Sequence, residues 1–450
     1  VPGDFASECL AEAEQRAKSI ELPADDASDI PFVTIDPAGS RDLDQALHIA
    51  REGDGYLVSY AIADVAAFVR PGGPLDAEAH RRGETLYFPD ARVPLHPPAL
   101  SEGAASLLPQ QLRPAVLWQI TLDADGSVRG CDVRRARVRS RAQLTYDGVQ
   151  SAYEGNNLPN AIAALPDVGR ARLALAKERH AIDLDLPEQV VTESERGYQL
   201  ALRVPTPIEQ FNAQISLLTG MCAAKLMLER GVGILRTVPP PDAGTVYALR
   251  RAGQALGIAW PHGAHPGDVL GSIDRRDPRH VAFVEHAASL LRGAAYVAFD
   301  GTPPAQPMHS AIGAPYAHVT APLRRLVDRY AGEVCLALHA GVAVPSWART
   351  ALPALPGEMQ SADHLAHEVD RAVVDATEAW LLHGRVGATF DAVVIDANEH
   401  AGTVVLDKPP VRARCAGSGL PIGERIVVRL VAADVASREV RFERVAASGD

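Results

Sequence analysis

The spacing of apolar and polar positions changes several times along the chain. Residues 4–20 set Phe5, Leu10 and Ala17 among Glu12, Glu14 and Lys18, which predicts a helix. Pro31-Phe32-Val33 opens a strand, and Tyr56 to Val69 alternates loosely in the same way. Pro71-Gly72-Gly73-Pro74 breaks that pattern, and Leu75 to Ala79 starts a short helix. Val116 to Leu122 reads as a strand that turns at Asp125-Gly126 into a second one. Residues 151–200 predict helices joined by loops, the clearest running from Pro166 to about Ala181. Ile208 to Gly231 predicts a long amphipathic helix stopped by glycine, with further helices over 243–257, 278–298 and His364 to His383. Beyond Gly384 the period shortens. Ala392–Ile395, Thr403–Leu406, Val411–Cys415, Arg425–Ala432 and Glu439–Arg444 form five strand-like runs, the number in an OB-type barrel. The chain therefore reads as α+β: a helical segment over 1–30, a mixed α/β domain over 31–383, and an all-β OB-type barrel over 384–450.

Composition narrows the class without naming a function. The 450 residues are 47% hydrophobic and 22% charged, ordinary for a globular protein of two or three domains. No apolar run reaches 18 residues, so no transmembrane helix is expected. Five scattered cysteines without a C-x-x-C spacing argue against a zinc ribbon or a disulfide framework, and a reducing cytoplasm is the expected compartment. The chain starts at Val1 without a signal-peptide pattern or an initiating Met, which suggests a trimmed N-terminus. A net charge of −12 excludes a broadly basic surface, but leaves room for a local nucleic-acid groove.

Candidate chemistry gathers in two stretches. In Thr34-Ile35-Asp36-Pro37-Ala38-Gly39-Ser40-Arg41-Asp42-Leu43-Asp44-Gln45, Asp42 and Asp44 project to one side of an extended backbone. A turn through Pro37, Gly39 and Ser40 brings Asp36 back towards them. Converging carboxylates repel unless a cation lies between them, and hard oxygen ligands suit magnesium. The second stretch is Tyr316-Ala317-His318-Val319-Thr320-Ala321-Pro322-Leu323-Arg324-Arg325. Thr320 suits a helix cap and Pro322 the first turn, which puts both arginines where anions bind. The same arginines also stand within reach of Asp328 and Glu333 as plain ion pairs. Arg135, Arg137, Arg139 and Arg141 share one side of a strand, either as a phosphate-following ladder or paired with acidic neighbours.

Phe32 to Ala46, with Tyr60 to Val65, resembles the catalytic signature of the RNase II (RNB) family of 3′-to-5′ exoribonucleases. Asp36, Asp42 and Asp44 match three of the family's four acidic positions, and Gln45 stands at the fourth with a neutral amide. Arg81 to Pro89 is similar to the family's G-T-S-x-Y-x-P segment at Tyr87. Thr320 to Leu326 is similar to T-S-P-I-R-R-Y, with Ala321 and Leu326 as departures. The strands after Gly384 resemble the S1-like domain that ends such proteins. Fewer than forty residues precede Asp36, too few for the cold-shock barrel many relatives carry there.

The resemblance implies a processive, hydrolytic exoribonuclease that shortens single-stranded RNA to nucleoside 5′-monophosphates, as a monomer without a membrane. Asp36, Asp42 and Asp44 would hold Mg2+, or Mn2+. Arg324 would grip the scissile phosphate, Tyr87 would pack against the terminal nucleotides, and Arg325 and Gln45 would contact RNA. Gln45 and the altered Thr-Ala-Pro-Leu segment keep a second reading open, an RNB-fold protein that binds RNA with impaired catalysis.

Overall fold

Alternating side chains on five strands feed two apolar clusters at once, and this closes the first barrel. In the computed structural model, which describes residues 1–184, 188–194, 197–274, 277–406 and 408–445, those strands are β1 (Phe32–Asp36), β2 (Gln45–Glu52), β3 (Gly55–Ala63), β4 (Leu112–Leu122) and β5 (Val128–Thr145). Neighbours pair antiparallel, and β1 closes the ring on β5 in parallel. On β3, Val58, Tyr60 and Ile62 join one cluster with Trp118 of β4, while Ala61 and Ala63 join another with Phe32, Leu43 and Phe68. Successive residues of a strand face opposite ways, so both faces are covered. Each large side chain buried in this way contributes roughly 1.5–3 kcal/mol.

The helix Ser7–Lys18 is integral to the second cluster through Cys9 and Ala13. Asp25 and Asp26 then run beside β5, where the arginine ladder finds its partners. Arg134 bonds Asp25 at 2.5 Å, Arg137 bonds Asp26 at 2.8 Å, and Arg135 bonds Asp64 at 2.8 Å and also Glu333. Arg141 donates to the Ser28 carbonyl at 2.8 Å. Of the ladder, Arg135, Arg137 and Arg141 are spent on these neighbours, with Arg134 from the other side of the strand joining Asp25, while Arg139 Nε has no hydrogen-bond partner among the described residues.

The helix Pro207–Arg230 starts at a reciprocal cap, in which Thr206 accepts from the Glu209 N–H and Glu209 accepts from the Thr206 N–H. It ends at Gly231, whose φ of 74° places it in the left-handed region that favours glycine. The helix forms with the bounds its pattern predicts, but it is buried on most of its circumference, by Ile208, Phe211, Ile215, Leu218, Ala223 and Met227, so it is less amphipathic than expected. It lies in the same cluster as the barrel and the helix Leu326–His339, so little of it is left for solvent.

Two other expectations change. Within 151–200 the helices Tyr146–Glu154 and Leu165–Glu178 are followed by a hairpin, Glu188–Ser194 paired with Gly197–Arg203. Val191 and Leu200 stand opposite each other there and pack towards Leu382 and the second barrel, a tertiary reward that local pattern does not show. The segment 278–298 is helical only over Pro278–Ala287, with a 3-10 turn at Ala288–Leu291. Ala295–Asp300 is a strand paired with Val232–Thr237.

The strands Thr389–Ala397, Ala401–Leu406, Arg412–Ala416, Arg425–Asp434 and Glu439–Arg444 close into a second barrel, with the third and fifth parallel. The long helix Leu355–Leu382 leads into it. Glu378 of that helix accepts from the Arg412 N–H at 2.7 Å and from Gln189 at 2.9 Å, tying helix, hairpin and barrel together. Among the described residues no helix is long and apolar enough to cross a membrane.

One buried ion pair supports the part of the fold that carries the candidate site. Asp76, on the helix Pro74–Arg82, bonds Arg329 of the helix Leu326–His339, and Arg329 also donates to the Val69 carbonyl at 3.0 Å. Trp347 and Tyr330 cover the guanidinium. Asp76→Ala leaves that cation buried and unpaired, and is expected to destabilise the protein by about 3 kcal/mol. Denaturant unfolding measures the loss.

Candidate active site

The turn after β1 is set by its residues. Ser40 N–H bonds the Pro37 carbonyl at 3.2 Å, and Gly39 takes a φ of 82°, where a side chain would be strained. Between the two aspartates, Leu43 points the other way and is fully buried. Its N–H donates to Ser106 Oγ at 3.0 Å, and its carbonyl accepts from Leu107 N–H at 3.0 Å. Anchored at Leu43, the loop presents Asp42 and Asp44 on one side. Asp36, at the end of β1, faces the same space.

Arg324 arrives from a turn, not from within a helix. The chain turns at Ala321 and becomes extended at Arg325, and the helix starts only at Leu326. Residues 83–85 pin this extended stretch. Thr85 N–H bonds the Arg324 carbonyl at 2.9 Å, and Leu326 N–H bonds the Gly83 carbonyl at 2.9 Å. Thr320 and Pro322 therefore do not open a helix, because pairing with 83–85 holds the backbone out of helical geometry. Leu323 N–H donates to Asp44 Oδ1 at 2.7 Å, across 279 positions, and Arg324 Nε lies 3.7 Å from Asp44 Oδ2.

Asp36, Asp42, Asp44, Gln45, Tyr87 and Arg324 all line one cavity of about 890 Å3. Tyr87 donates to Asp42 Oδ2 at 3.2 Å. Gln45 donates its amide to the Thr320 carbonyl, so this neutral residue ties β2 to the distant turn. Arg325 is the exception. Its side chain is buried outside the cavity in a two-bond pair with Asp328, at 2.5 and 2.9 Å, and Asp328 also accepts from the Ala321 N–H. Arg325, expected to contact RNA, thus stands outside the cavity and braces the turn that delivers Arg324.

Several groups here lack an obvious sequence signal. Arg92 bonds Asp42 at 2.8 Å and Glu102 at 2.6 Å, and Tyr146 lines the cavity wall. The signal for Arg92 was a hairpin: Leu86-Tyr87 and Arg92-Val93 flank a Pro-Asp turn, and the register sets Tyr87 opposite Arg92.

Burial, with Asp42 adding to it, pushes the Asp36 carboxyl up to about 6. Burial pushes Asp44 well above the carboxylate range, with Arg324 and the Leu323 N–H pulling the other way. Asp36 Oδ2 is buried and has no hydrogen-bond partner among the described residues. Negative charge here is under-compensated, and the donors are hard oxygens, so the aspartates fit a divalent cation as ligands. They are not yet a cage: among the described residues no three His, Cys, Asp or Glu side chains stand together as one. Both Asp42 oxygens already have partners in Arg92 and Tyr87.

With this geometry in view, the RNB domain profile matches residues 24–337, and the profile of the RNase II-type exonuclease C-terminal S1 domain matches 388–445. The first spans more than half of the chain, and the protein belongs to the RNB family. Exoribonuclease 2 of Edwardsiella piscicida is 34% identical over 227 residues, 47% of this chain and 35% of that protein. Ribonuclease R of Aquifex aeolicus is 27% identical over 458 residues, 92% of this chain and 63% of that one. The chain thus spans less than two thirds of the length of these curated relatives. Mycoplasma genitalium RNase R, solved with ribose-methylated single-stranded RNA, superposes with a TM-score of 0.87 at 20% identity, over 98% of this chain and 76% of that one.

Glu84, beside the Arg324 turn, gives the site a pH signature. Burial first, then Asp363, pushes its carboxyl up to about 7, against Arg325 and His367. The fold thus favours protonated Glu84. That stability is fully present below the ordinary Glu value and is lost as pH rises through 7. Glu84 is expected to contribute a fall of about 2 kcal/mol in unfolding free energy from pH 5 to pH 8, and Glu84→Gln to make the measured profile shallower by that amount, the raised carboxyls of Asp36, Asp44 and Glu378 supplying the slope that remains.

Proposed function

We propose that this protein is a hydrolytic 3′-to-5′ exoribonuclease that shortens single-stranded RNA processively to nucleoside 5′-monophosphates, acting as a cytoplasmic monomer with Mg2+ or Mn2+. The observation that carries this reading is the meeting of Asp36, Asp42, Asp44 and Arg324 in one cavity. The RNA seen with the related Mycoplasma protein is consistent with the substrate class.

Asp36, Asp42 and Asp44 would hold the cation. Such an ion, when bound, lowers the pKa of a water and offsets charge on the phosphate. Arg324, with its side chain about half exposed, reaches into the cavity and grips the scissile phosphate, steadying the charge that builds as the bond breaks. The Asp44 contact aims that guanidinium. Tyr87 stands at the rim, where an aromatic face stacks on a terminal base without regard to sequence. Gln45 acts through the Thr320 carbonyl and fixes the floor of the site.

A second reading is binding without cleavage. Gln45 at an acidic position and Asp42 already paired with Arg92 favour it.

The test uses end-labelled RNA with Mg2+. The unmutated chain is expected to give stepwise shortening from the 3′ end, and Asp44→Asn or Arg324→Ala to slow it by about 10²–10³-fold. RNA retained intact on the unmutated protein, in Mg2+ and in Mn2+, selects the binding reading instead.

A further inference from the structure

Arg92 is a charged group in the cavity whose role the reading above leaves open. It sits in the two-stranded hairpin opposite Tyr87, and its guanidinium forks. Nη1 lies 2.8 Å from Asp42 Oδ1 and Nη2 lies 2.6 Å from Glu102 Oε1. Glu102 also faces Arg41 at 3.5 Å. One guanidinium thus spans two carboxylates and can leave one while still held by the other. The carboxylate it would leave is the one that a cation needs. Both Asp42 oxygens have partners, whereas nearby Asp36 Oδ2 has none among the described residues.

We propose that Arg92 is a place-holding cation. In the ion-free site it neutralises Asp42. When a divalent ion takes Asp42, Arg92 stays on Glu102 and turns its freed N–H groups to the phosphate chain of the RNA. The second half of this proposal rests on the nuclease reading, while the first concerns metal alone. A guanidinium suits such an exchange because its fork matches carboxylate and phosphate oxygens equally well. With Arg92 and Arg324 both lining the cavity, the RNA would meet two cations, one mobile and one set by the turn before its helix.

The experiment titrates Mn2+ into the full RNA-free chain and reads free ion by electron paramagnetic resonance, so no turnover enters. Arg92→Gln is expected to bind Mn2+ about fivefold tighter, the factor that goes with removing one competing ion pair of roughly 1 kcal/mol. Glu102→Gln, which leaves Arg92 on Asp42 alone, is expected to bind it more weakly. With Mn2+ saturating, Arg92→Gln should hold a 2′-O-methylated oligoribonucleotide about fivefold less tightly than the unmutated chain. Unchanged or weaker Mn2+ binding in an Arg92→Gln variant that melts normally overturns the proposal. If that variant melts early, Arg92→Met decides: it keeps the length of the side chain and removes the charge, so tighter Mn2+ binding supports the place-holder and unchanged binding overturns it. A chain that shows these Mn2+ shifts yet shortens no RNA would refute the nuclease reading and leave the place-holder standing.

Discussion

A single backbone N–H, that of Leu323, reaches a buried carboxylate, that of Asp44, and the candidate site exists because it does. A carboxylate without water is costly unless hydrogen bonds and charge replace the lost hydration. The barrel supplies the acid and the turn before the helix Leu326–His339 supplies both the donor and the cation. Neither piece is satisfied alone. Asp328 repeats the same logic one step further back, closing the turn through Ala321 and Arg325.

The arginines divide by what they face. On β5, Arg134, Arg135 and Arg137 are paired with Asp25, Asp26, Asp64 and Glu333, which weld the N-terminal segment and the helix Leu326–His339 to the barrel. Arg324 meets Asp44 only at 3.7 Å and keeps much of its guanidinium open. An acidic protein can still hold a polyanion where cations such as Arg324 line a hollow.

Much of this was legible in the residues. The alternation after Gly384 marked a barrel because each strand there has one wet face. The D-x-D spacing placed two carboxylates together because Leu43 between them is apolar enough to anchor the loop in the core. Other features were invisible locally. The hairpin of Glu188–Arg203 earns its strand geometry from Leu382 and the second barrel. Arg324 and Arg325 look equivalent as neighbours, yet an extended residue sends them to opposite sides, which the bridge from Glu84 to Arg325 and the Arg325–Asp328 pair reveal. The buried circumference of Pro207–Arg230 likewise depends on partners that a one-dimensional pattern does not show.

The distance along the chain between Asp44 and Leu323 has a consequence for biosynthesis. Contacts between remote segments form late, since loop closure must precede their reward. A ribosome releases the aspartates long before the arginine that faces them. Until the helix Leu326–His339 has emerged and docked, the emerging chain carries Asp44 without the N–H and the guanidinium that face it, so the cavity is the last part of this domain to be completed.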